Sequence, residues 1–301
     1  MRFPIEGHRY LGFFPPYRRL EPLDHPYQIP RSPLPNRGSV LIWNLNPGEI
    51  SSSCRSVRAR PPGVALFVVL PPTRRLGGKE ALFRLMSSCR PHSILPHVEE
   101  VDPEELVMVL RRRPTQFAVE VTEYLSWRGM ELDLDTRRLI RKTLDLSLDL
   151  RTVSGLARAL YMSRRALGRR FMTRGLPVPS HWLHFSRILR GSIKLQDPKS
   201  TLFSVGCELG YPDGFAFSNQ MKRLTGLRPS IMRECFGWEW IVESWLHREA
   251  EKGNLAANLR NRLFPTPWPE EEGASVAAGG SNSMPAPRIM RVAEDLAGND
   301  S

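Results

Sequence analysis

The chain has 301 residues, 41% of them apolar, a formal net charge of +12 and an isoelectric point near 10.1. This apolar fraction is enough for roughly one to three folded domains, and the basic balance favours an anionic partner such as nucleic acid or a membrane surface. There is no run of about 18 uncharged apolar residues and no signal-peptide pattern, so we expect a cytoplasmic protein that does not enter a membrane.

The cysteines are too scattered to form a recognisable site. Cys54, Cys89, Cys207 and Cys235 include no CxxC pair and have no histidine at zinc-finger spacing. This pattern indicates neither a disulfide framework nor a zinc centre. We expect buried free thiols, with no metal and no cofactor.

Both ends of the chain are biased in composition. Residues 1–37 contain many prolines, which interrupt helices and central strands, so we expect an extended arm outside the core. Residues 265–301 are rich in Pro, Gly, Ala, Ser and acidic residues and poor in apolar ones, which predicts a disordered tail.

Residues 38–130 have the alternating pattern of a small α/β domain. The predicted elements, in chain order, are strands at 40–45 and 64–72, a helix at 79–89, a strand at 92–98 and a capped helix at 102–113. This order of elements favours a parallel sheet.

In outline this domain resembles the receiver domain of response regulators. In that family the central strand ends in a phosphate-accepting aspartate, whereas here it ends in Leu70-Pro71-Pro72. Trp43 and Asn44 stand where the acidic pair that binds magnesium would be required. The resemblance therefore implies a receiver-like shape without phosphoryl chemistry.

From residue 115 to about residue 261 the pattern is helical. Asp135 is the predicted N-cap of a helix that carries Leu139, Ile140 and Leu144 on one face. The best candidate for a linker is 128–134, so we predict a helical domain at 131–264. Its last part, 237–264, is rich in tryptophan, and we expect that stripe to pack on the protein rather than bind a partner helix.

A helix-turn-helix pattern spans Thr152–Phe171. Thr152 and Ser163 are candidate N-caps of two successive short helices, separated by a turn at Tyr161 and Met162. Leu167 and Phe171 are four residues apart and face inward, which leaves the arginines of the second helix pointing outward.

The pattern recurs at Thr201–Leu224. Thr201 and Asp213 are the candidate N-caps, and Phe217 and Met221 repeat the four-residue inward spacing. Gly210 supplies backbone freedom at the turn, where the first unit has Tyr161.

One amphipathic helix joins the two units. We predict that it is capped by Ser180 and ends before Asp197-Pro198. A helix of this length would set the separation of the units, ideally at about one DNA turn, roughly 34 Å.

Together these features resemble the DNA-binding domain of the AraC/XylS family of bacterial transcription regulators. The resemblance covers residues 151–233, and its second half carries the family signature at Gly210-Tyr211, Phe217-Ser218, Lys222-Arg223, Gly226 and Pro229-Ser230. It implies a fold of the α+β multidomain class in which an all-α domain with two helix-turn-helix units follows the α/β domain. It also implies two recognition helices that enter successive major grooves.

The resemblance and the chemistry of the side chains together nominate site residues. The candidates for base contact are Arg165, Gly168, Arg169, Gly214, Phe215, Ser218 and Asn219, and those for phosphate contact are Arg164, Arg170, Arg174, Ser200, Lys222 and Arg223. Arginine can pair with guanine, asparagine with adenine, and phenylalanine can pack on a thymine methyl group. Phosphate contacts position the protein without specifying sequence.

No catalytic motif is present, since the chain lacks HExxH, GxSxG and the Walker spacing. We therefore expect a regulator that binds double-stranded DNA and is not an enzyme. The alternatives are a DNA-compacting protein without sequence preference, and an adaptor that binds proteins through its N-terminal domain and Trp-rich helix. RNA polymerase, a second copy of the chain and a small-molecule effector bound by residues 38–130 are further candidate partners.

Overall fold

The computed structural model describes residues 2–29, 37–46, 50–72 and 79–264, which fall in one compact unit. The predicted disordered tail, 265–301, lies outside the described residues. Within the described ranges, no helix combines the length and the apolar character that a membrane crossing needs.

A mixed sheet forms the core of the N-terminal region. Its strand order is β3-β2-β4-β5-β6, and a separate two-stranded ribbon pairs β1 with β7. The strands are β1 (Phe3–Pro4), β2 (Tyr10–Phe13), β3 (Leu20–Leu23), β4 (Val40–Asn44), β5 (Ala65–Val69), β6 (Ser93–Leu95) and β7 (Glu100–Val101). The predicted strands at 40–45, 64–72 and 92–98 thus all exist, each as a shorter element.

The prediction that residues 1–37 form an arm outside the core is wrong. Strand β2 lies inside the sheet and pairs antiparallel with both β3 and β4. Leu11 and Phe13 are fully buried in the core of this sheet. Strand β3 tolerates Pro22 because it is the edge strand of the sheet. The missing N–H of the proline therefore removes no hydrogen bond to a second neighbouring strand.

The sequence pattern predicts a parallel sheet, but the sheet is mixed. β4, β5 and β6 are parallel to one another, whereas the pairs β2–β3 and β2–β4 are antiparallel. The prediction failed because β2 and β3 come from the segment assigned to the arm. The described strands therefore do not form the all-parallel sheet that a receiver-like domain would require.

The remaining described elements are helical. They are α1 (Ile50–Arg58), α2 (Lys79–Cys89), α3 (Pro103–Arg111), α4 (Phe117–Trp127), α5 (Leu134–Leu146), α6 (Val153–Ala159), α7 (Arg164–Met172), α8 (Pro179–Leu195), α9 (Leu202–Glu208), α10 (Gly214–Thr225), α11 (Glu239–Glu251) and α12 (Ala257–Leu263). Helices α2 and α3 were predicted from the sequence, and α1 was not.

Helix α5 begins earlier than predicted. Its N-cap is Asp133, whose side chain accepts a hydrogen bond from the backbone N–H of Thr136 at 2.7 Å, whereas Asp135 lies in the first turn. Residues 128–134, predicted to be a linker between domains, form the short connection between α4 and α5, which pack on each other. The boundaries of the predicted domains stay predictions.

The expectation of four buried thiols is only partly correct. All four cysteines are free, but Cys207 is exposed and Cys54 is half-buried. Cys207 lies on the outer face of α9, where the inward positions belong to Val205 and Leu209.

The tryptophan stripe of α11 packs inward, as predicted. Trp238, Trp240 and Trp245 are each at most 2% exposed. Trp245 stacks on Phe185 of α8, with ring centroids 4.0 Å apart and planes 7° apart. These aromatic rings are therefore not available to bind another protein.

Helix α11 also carries two buried carboxylates that contact the N-terminal half of the chain. Glu239 accepts from His92 at 2.9 Å and is 3.5 Å from Arg90. Glu243 accepts from the hydroxyl of Tyr124 at 2.8 Å and from the guanidinium of Arg128 at 2.6 Å. We call these six residues the polar junction.

The polar junction affects the protonation of its members. Burial alone would lower the pKa of His92, but the charge and hydrogen bond of Glu239 outweigh it, so the pKa of His92 is raised above 6.5. Burial likewise raises the pKa of Glu239, and His92 and Arg90 more than reverse this, giving a pKa of about 2. Glu239 is therefore ionised in the folded protein at neutral pH, and its charge favours the protonated form of His92.

We expect the stability of the protein to fall as the pH rises above neutrality. A raised His92 pKa contributes stability that is complete below 6.5 and lost as the pH rises through the folded-state value. His92→Asn should remove this dependence and cost about 1–3 kcal/mol, because Glu239 loses a buried hydrogen bond. Urea unfolding between pH 6 and pH 9 measures both effects. His97→Asn, at an exposed histidine, is the control, and a wild-type profile that stays flat would contradict this account.

Candidate DNA-binding surface

The first helix-turn-helix unit consists of α6 and α7. The backbone N–H groups of Gly155 and Ala166 donate to the side-chain oxygens of Thr152 and Ser163, each at 3.1 Å, so both predicted N-caps are confirmed. Leu167 and Phe171 are fully buried, as predicted.

The second unit, α9 and α10, repeats this construction. Thr201 and Asp213 accept from backbone N–H groups at 3.0 and 2.7 Å, which again confirms the predicted N-caps. Phe217 and Met221 are fully buried at the positions that correspond to Leu167 and Phe171.

The turns of the two units have the same backbone conformation. Tyr161 has φ 55° and Gly210 has φ 75°, both in the left-handed region. In each unit the next N–H bonds back to the small residue of the first helix, Met162 to Ala157 and Tyr211 to Gly206, both at 2.9 Å. A left-handed residue thus ends the first helix of each unit, as a C-cap does.

Helix α8 joins the units and is almost wholly buried. It begins with Pro179, and Ser180 lies in its first turn, so Ser180 is not the N-cap that the sequence predicted. The helix ends at Leu195, before Asp197-Pro198, as predicted. Proline favours this start because the first helical position needs no N–H partner.

Each unit contacts α8 through a different type of side chain, aromatic in the first unit and arginine in the second. In the first unit, Phe171 packs on Trp182 of α8, with ring centroids 6.4 Å apart. In the second, the guanidinium of Arg187 donates from Nε to the carbonyl of Leu209 at 3.1 Å and lies 4.5 Å from the ring centroid of Tyr211. Arg187 is buried, so its role is structural although it adds to the basic charge.

Glycine allows the second unit to approach α8 closely. A Cβ atom at Gly191 would lie 2.6 Å from the Phe217 ring and from the side chain of Leu209. A Cβ atom at Gly206 would lie 2.9 Å from the backbone oxygen of Asp213. Neither contact is acceptable, so the position of α10 depends on both glycines.

Most predicted base-contact residues lie on the surface of the two second helices. Arg165 and Arg169 on α7 are exposed, as are Phe215 and Asn219 on α10, while Ser218 is half-buried. Phe215 is 79% exposed, which agrees with its prediction as a surface residue. No observation tests which bases these side chains contact.

The two glycines predicted to contact bases differ in their surroundings. Gly168 faces open space, because a Cβ atom there would have no neighbour within 4 Å. Gly214 is buried against α9, where a Cβ atom would lie 3.1–3.2 Å from Leu202 atoms. Close packing between α9 and α10 is enough to explain this glycine, and its role as a base-contact residue stays a prediction.

Two of the predicted phosphate contacts are engaged within the protein. Arg174 pairs with Asp133, and hydrogen bonds from Thr136 and then Arg174 hold the pKa of that carboxyl well below its usual value. The carbonyl of Ser200 accepts from Arg233 at 2.9 Å. Arg174 is thus less available to DNA than its sequence position suggested, while Arg164, Arg170, Lys222 and Arg223 are exposed.

The basic charge is unequally divided between the units. Residues 151–250 contain 16 lysines and arginines against seven acidic residues, so they carry nine of the chain's twelve net positive charges. Residues 151–174 contain seven arginines and no acidic residue, whereas residues 201–226 contain two basic and two acidic residues. Attraction to a phosphate backbone is therefore concentrated in the first unit.

Comparison with known proteins gives one match. Residues 156–234 match a family model described as a helix-turn-helix domain. This segment is a helix-turn-helix domain of the AraC type. Comparisons with curated proteins and with solved structures gave no significant match.

The AraC-type domain extends from α6 to the 3-10 turn at Pro229–Arg233. It indicates a DNA-binding transcription regulator, with DNA as a partner. The match leaves out the mixed sheet and α11, so the polar junction has no counterpart in it.

Two exposed aromatic residues of this domain were not predicted from the sequence as surface residues. Tyr161 was treated only as part of a turn, and it is 97% exposed. Phe203 in the first turn of α9 is 65% exposed, next to Leu202, which touches Gly214. The signal for Tyr161 was present in the sequence, since the matching position of the second unit is Gly210.

Two glycine substitutions should have opposite effects on stability. Gly191→Ala should destabilise the protein by about 1–3 kcal/mol, because the added methyl group overpacks the contact with Phe217. Gly168 also lies inside a helix but faces open space, so Gly168→Ala should stabilise the protein by about 0.5–1 kcal/mol. Chemical denaturation of both variants measures the difference, and equal effects of the same sign would refute the packing described for α10.

Proposed function

We propose that the protein is a sequence-specific regulator that binds double-stranded DNA with α7 and α10 in successive major grooves. The observation that carries the proposal is the repetition of one unit, with the same caps, turn and buried anchors, on a single buried helix. Two such units held by one rigid connection favour two contacts of fixed spacing on DNA. We further propose that the protein is not an enzyme.

The exposed side chains of α7 and α10 suit different bases. On α7, Arg165 and Arg169 can each form a bidentate pair with guanine. On α10, Asn219 suits adenine, and the exposed ring of Phe215 suits a thymine methyl group. Each good bidentate pair is worth about 1–3 kcal/mol of discrimination against the wrong base.

The phosphate contacts would come from exposed basic residues near the ends of these helices. Arg164 is the first residue of α7 and Arg170 lies in its last turn, while Lys222 and Arg223 lie in the last turn of α10. Each neutralised phosphate contributes about 0.9 to the slope of log affinity against log salt concentration. Because the first unit holds most of the charge, it would account for most of the salt dependence.

Two other functions compete with this proposal. A compacting protein without sequence preference would use the same arginines, and it predicts equal binding to all duplexes. An adaptor that binds proteins through the Trp-rich helix is disfavoured, because the tryptophans of α11 are buried. RNA polymerase, a second copy of the chain and an effector of residues 38–130 remain candidate partners of the proposed regulator.

Selection from random duplexes should enrich one site that spans two major-groove segments. Asn219→Ala should relax the preference at one base pair by about 1–3 kcal/mol, because it removes a base contact. Lys222→Ala should weaken all duplexes alike and lower the salt slope by about 0.9. Competition binding at several salt concentrations distinguishes the two variants.

The matched control for charge is Lys142→Ala, since Lys142 is an exposed lysine of α5 that lies outside both helix-turn-helix units, and this variant should change neither the affinity nor the salt slope. If no site is enriched and every duplex competes equally, the compacting function is correct and the regulator is not.

A further inference from the structure

An open concavity of about 490 Å³ lies beside the first recognition helix. It is lined by Tyr161, Met162 and Ser163 of the turn and by Ala166, Arg169, Arg170 and Thr173 of α7 and its C-terminal end. We call it the Tyr161 concavity. Arg169 and Arg170 already belong to the proposed DNA-binding surface, whereas Tyr161 has no role in it so far.

The conformation of Tyr161 is one that a non-glycine residue rarely adopts. Its φ of 55° is in the left-handed region, where a β-carbon crowds the backbone at a cost in free energy. The corresponding turn of the second unit has Gly210 with φ 75°, which adopts this conformation without that cost. The turn itself therefore favours glycine and gains nothing from tyrosine.

Packing does not offset this cost. The side chain of Tyr161 is 97% exposed, so it contributes almost nothing to the core. A strained, exposed aromatic residue at a recognition helix indicates a contact outside the chain. The question is what kind of group the concavity fits.

The chemistry of the concavity suits a phosphodiester. Two guanidinium groups, the hydroxyl of Ser163 and the phenol supply hydrogen-bond donors, whereas the hydroxyl of Thr173 donates to the carbonyl of Arg170 at 3.2 Å. No acidic residue occurs in residues 151–174 to compete for these donors. The phenol ring offers a flat apolar face of the kind that packs on a sugar. Arg169 is both a wall of the concavity and a candidate base contact, so a duplex that it contacts would place its backbone nearby.

We propose that the Tyr161 concavity clamps one phosphodiester of the DNA backbone beside α7. The Tyr161 hydroxyl donates to a phosphate oxygen, and its ring packs on the adjoining deoxyribose. This inference rests on the proposed function, because it requires that α7 binds a duplex. It makes Tyr161 a positioning residue and leaves base preference to other side chains.

The first variant of the test is Tyr161→Gly, which removes the side chain and the strain of the left-handed backbone conformation. The affinity for the selected duplex should fall about 10-fold, as expected for the loss of a hydrogen bond to a charged group. The melting temperature should stay the same or rise, and the enriched base sequence should stay the same. Tyr161→Phe should lose most of the affinity that Tyr161→Gly loses. Met108→Ala, at an exposed residue of α3, is the control and should change neither property.

A scan of the duplex with single neutral methylphosphonate linkages identifies the phosphate. At one linkage the substitution should weaken the wild-type protein about 10-fold and weaken Tyr161→Gly clearly less, because the variant has already lost the tyrosine's share of the interaction with that phosphate. If methylphosphonates weaken both proteins equally at every linkage, Tyr161 contacts no phosphate and the clamp is wrong.

The remaining outcomes separate this proposal from the function on which it rests. If the wild-type protein binds no duplex, the proposed function and the clamp both fail. If the wild type binds and Tyr161→Gly binds equally well, only the clamp fails. Unchanged DNA binding with a loss of transcription in a reconstituted assay would assign Tyr161 to a protein surface such as RNA polymerase. A lower melting temperature of Tyr161→Gly would show that the side chain serves the fold, which also overturns the inference.

Discussion

The burial of α8 is the constraint on which the arrangement of the DNA-binding domain depends. On one face of this helix, Trp182 contacts Phe171 of the first unit. On another face, the absence of a side chain at Gly191 leaves space for the ring of Phe217 of the second unit. Because closely packed interiors resist small displacements, neither α7 nor α10 can shift without disturbing α8. The spacing of α7 and α10 is therefore a property of the core and not of a flexible linker.

Helix α11 connects this core to the rest of the protein. One face stacks Trp245 on Phe185 of α8, while its carboxylates Glu239 and Glu243 bind His92 and Tyr124 of the N-terminal half. Tyr17 adds a second connection, since its hydroxyl donates to Gly38 and accepts from the backbone N–H of Phe236. The mixed sheet and the DNA-binding core thus share one supporting helix. An effector that altered the sheet would have a short physical route to α8.

The sequence predicted best what depends on local chemistry. The four caps of the helix-turn-helix units, the inward pairs such as Phe217 and Met221, and the end of α8 follow from spacing and side-chain type, and the structure has them as predicted. Strands β2 and β3 were missed because their stability comes from pairing with other strands, β3 with β2 and β2 with β4, and the density of prolines argued against strands in this segment. Helix α1 was missed because its run of serines has little helical propensity of its own.

Long-range contacts explain the other errors. The pairing of Arg174 with Asp133 spans 41 residues, and that of His92 with Glu239 spans 147 residues. No local pattern shows that either partner is engaged. The packing of Gly214 on Leu202 is likewise a tertiary contact that its place in α10 does not predict. Tyr161 is the opposite case, since comparison of the two units in the sequence alone was enough to mark it as unusual.

The central claim is that α8 holds two recognition helices on one face of a duplex. Hydroxyl-radical footprinting on the selected site measures this most directly. We expect two protected windows on the same face of the helix, with centres about 10–10.5 base pairs apart. A single window, or two windows separated by half a turn, would contradict the claim that α8 sets the spacing of the two units.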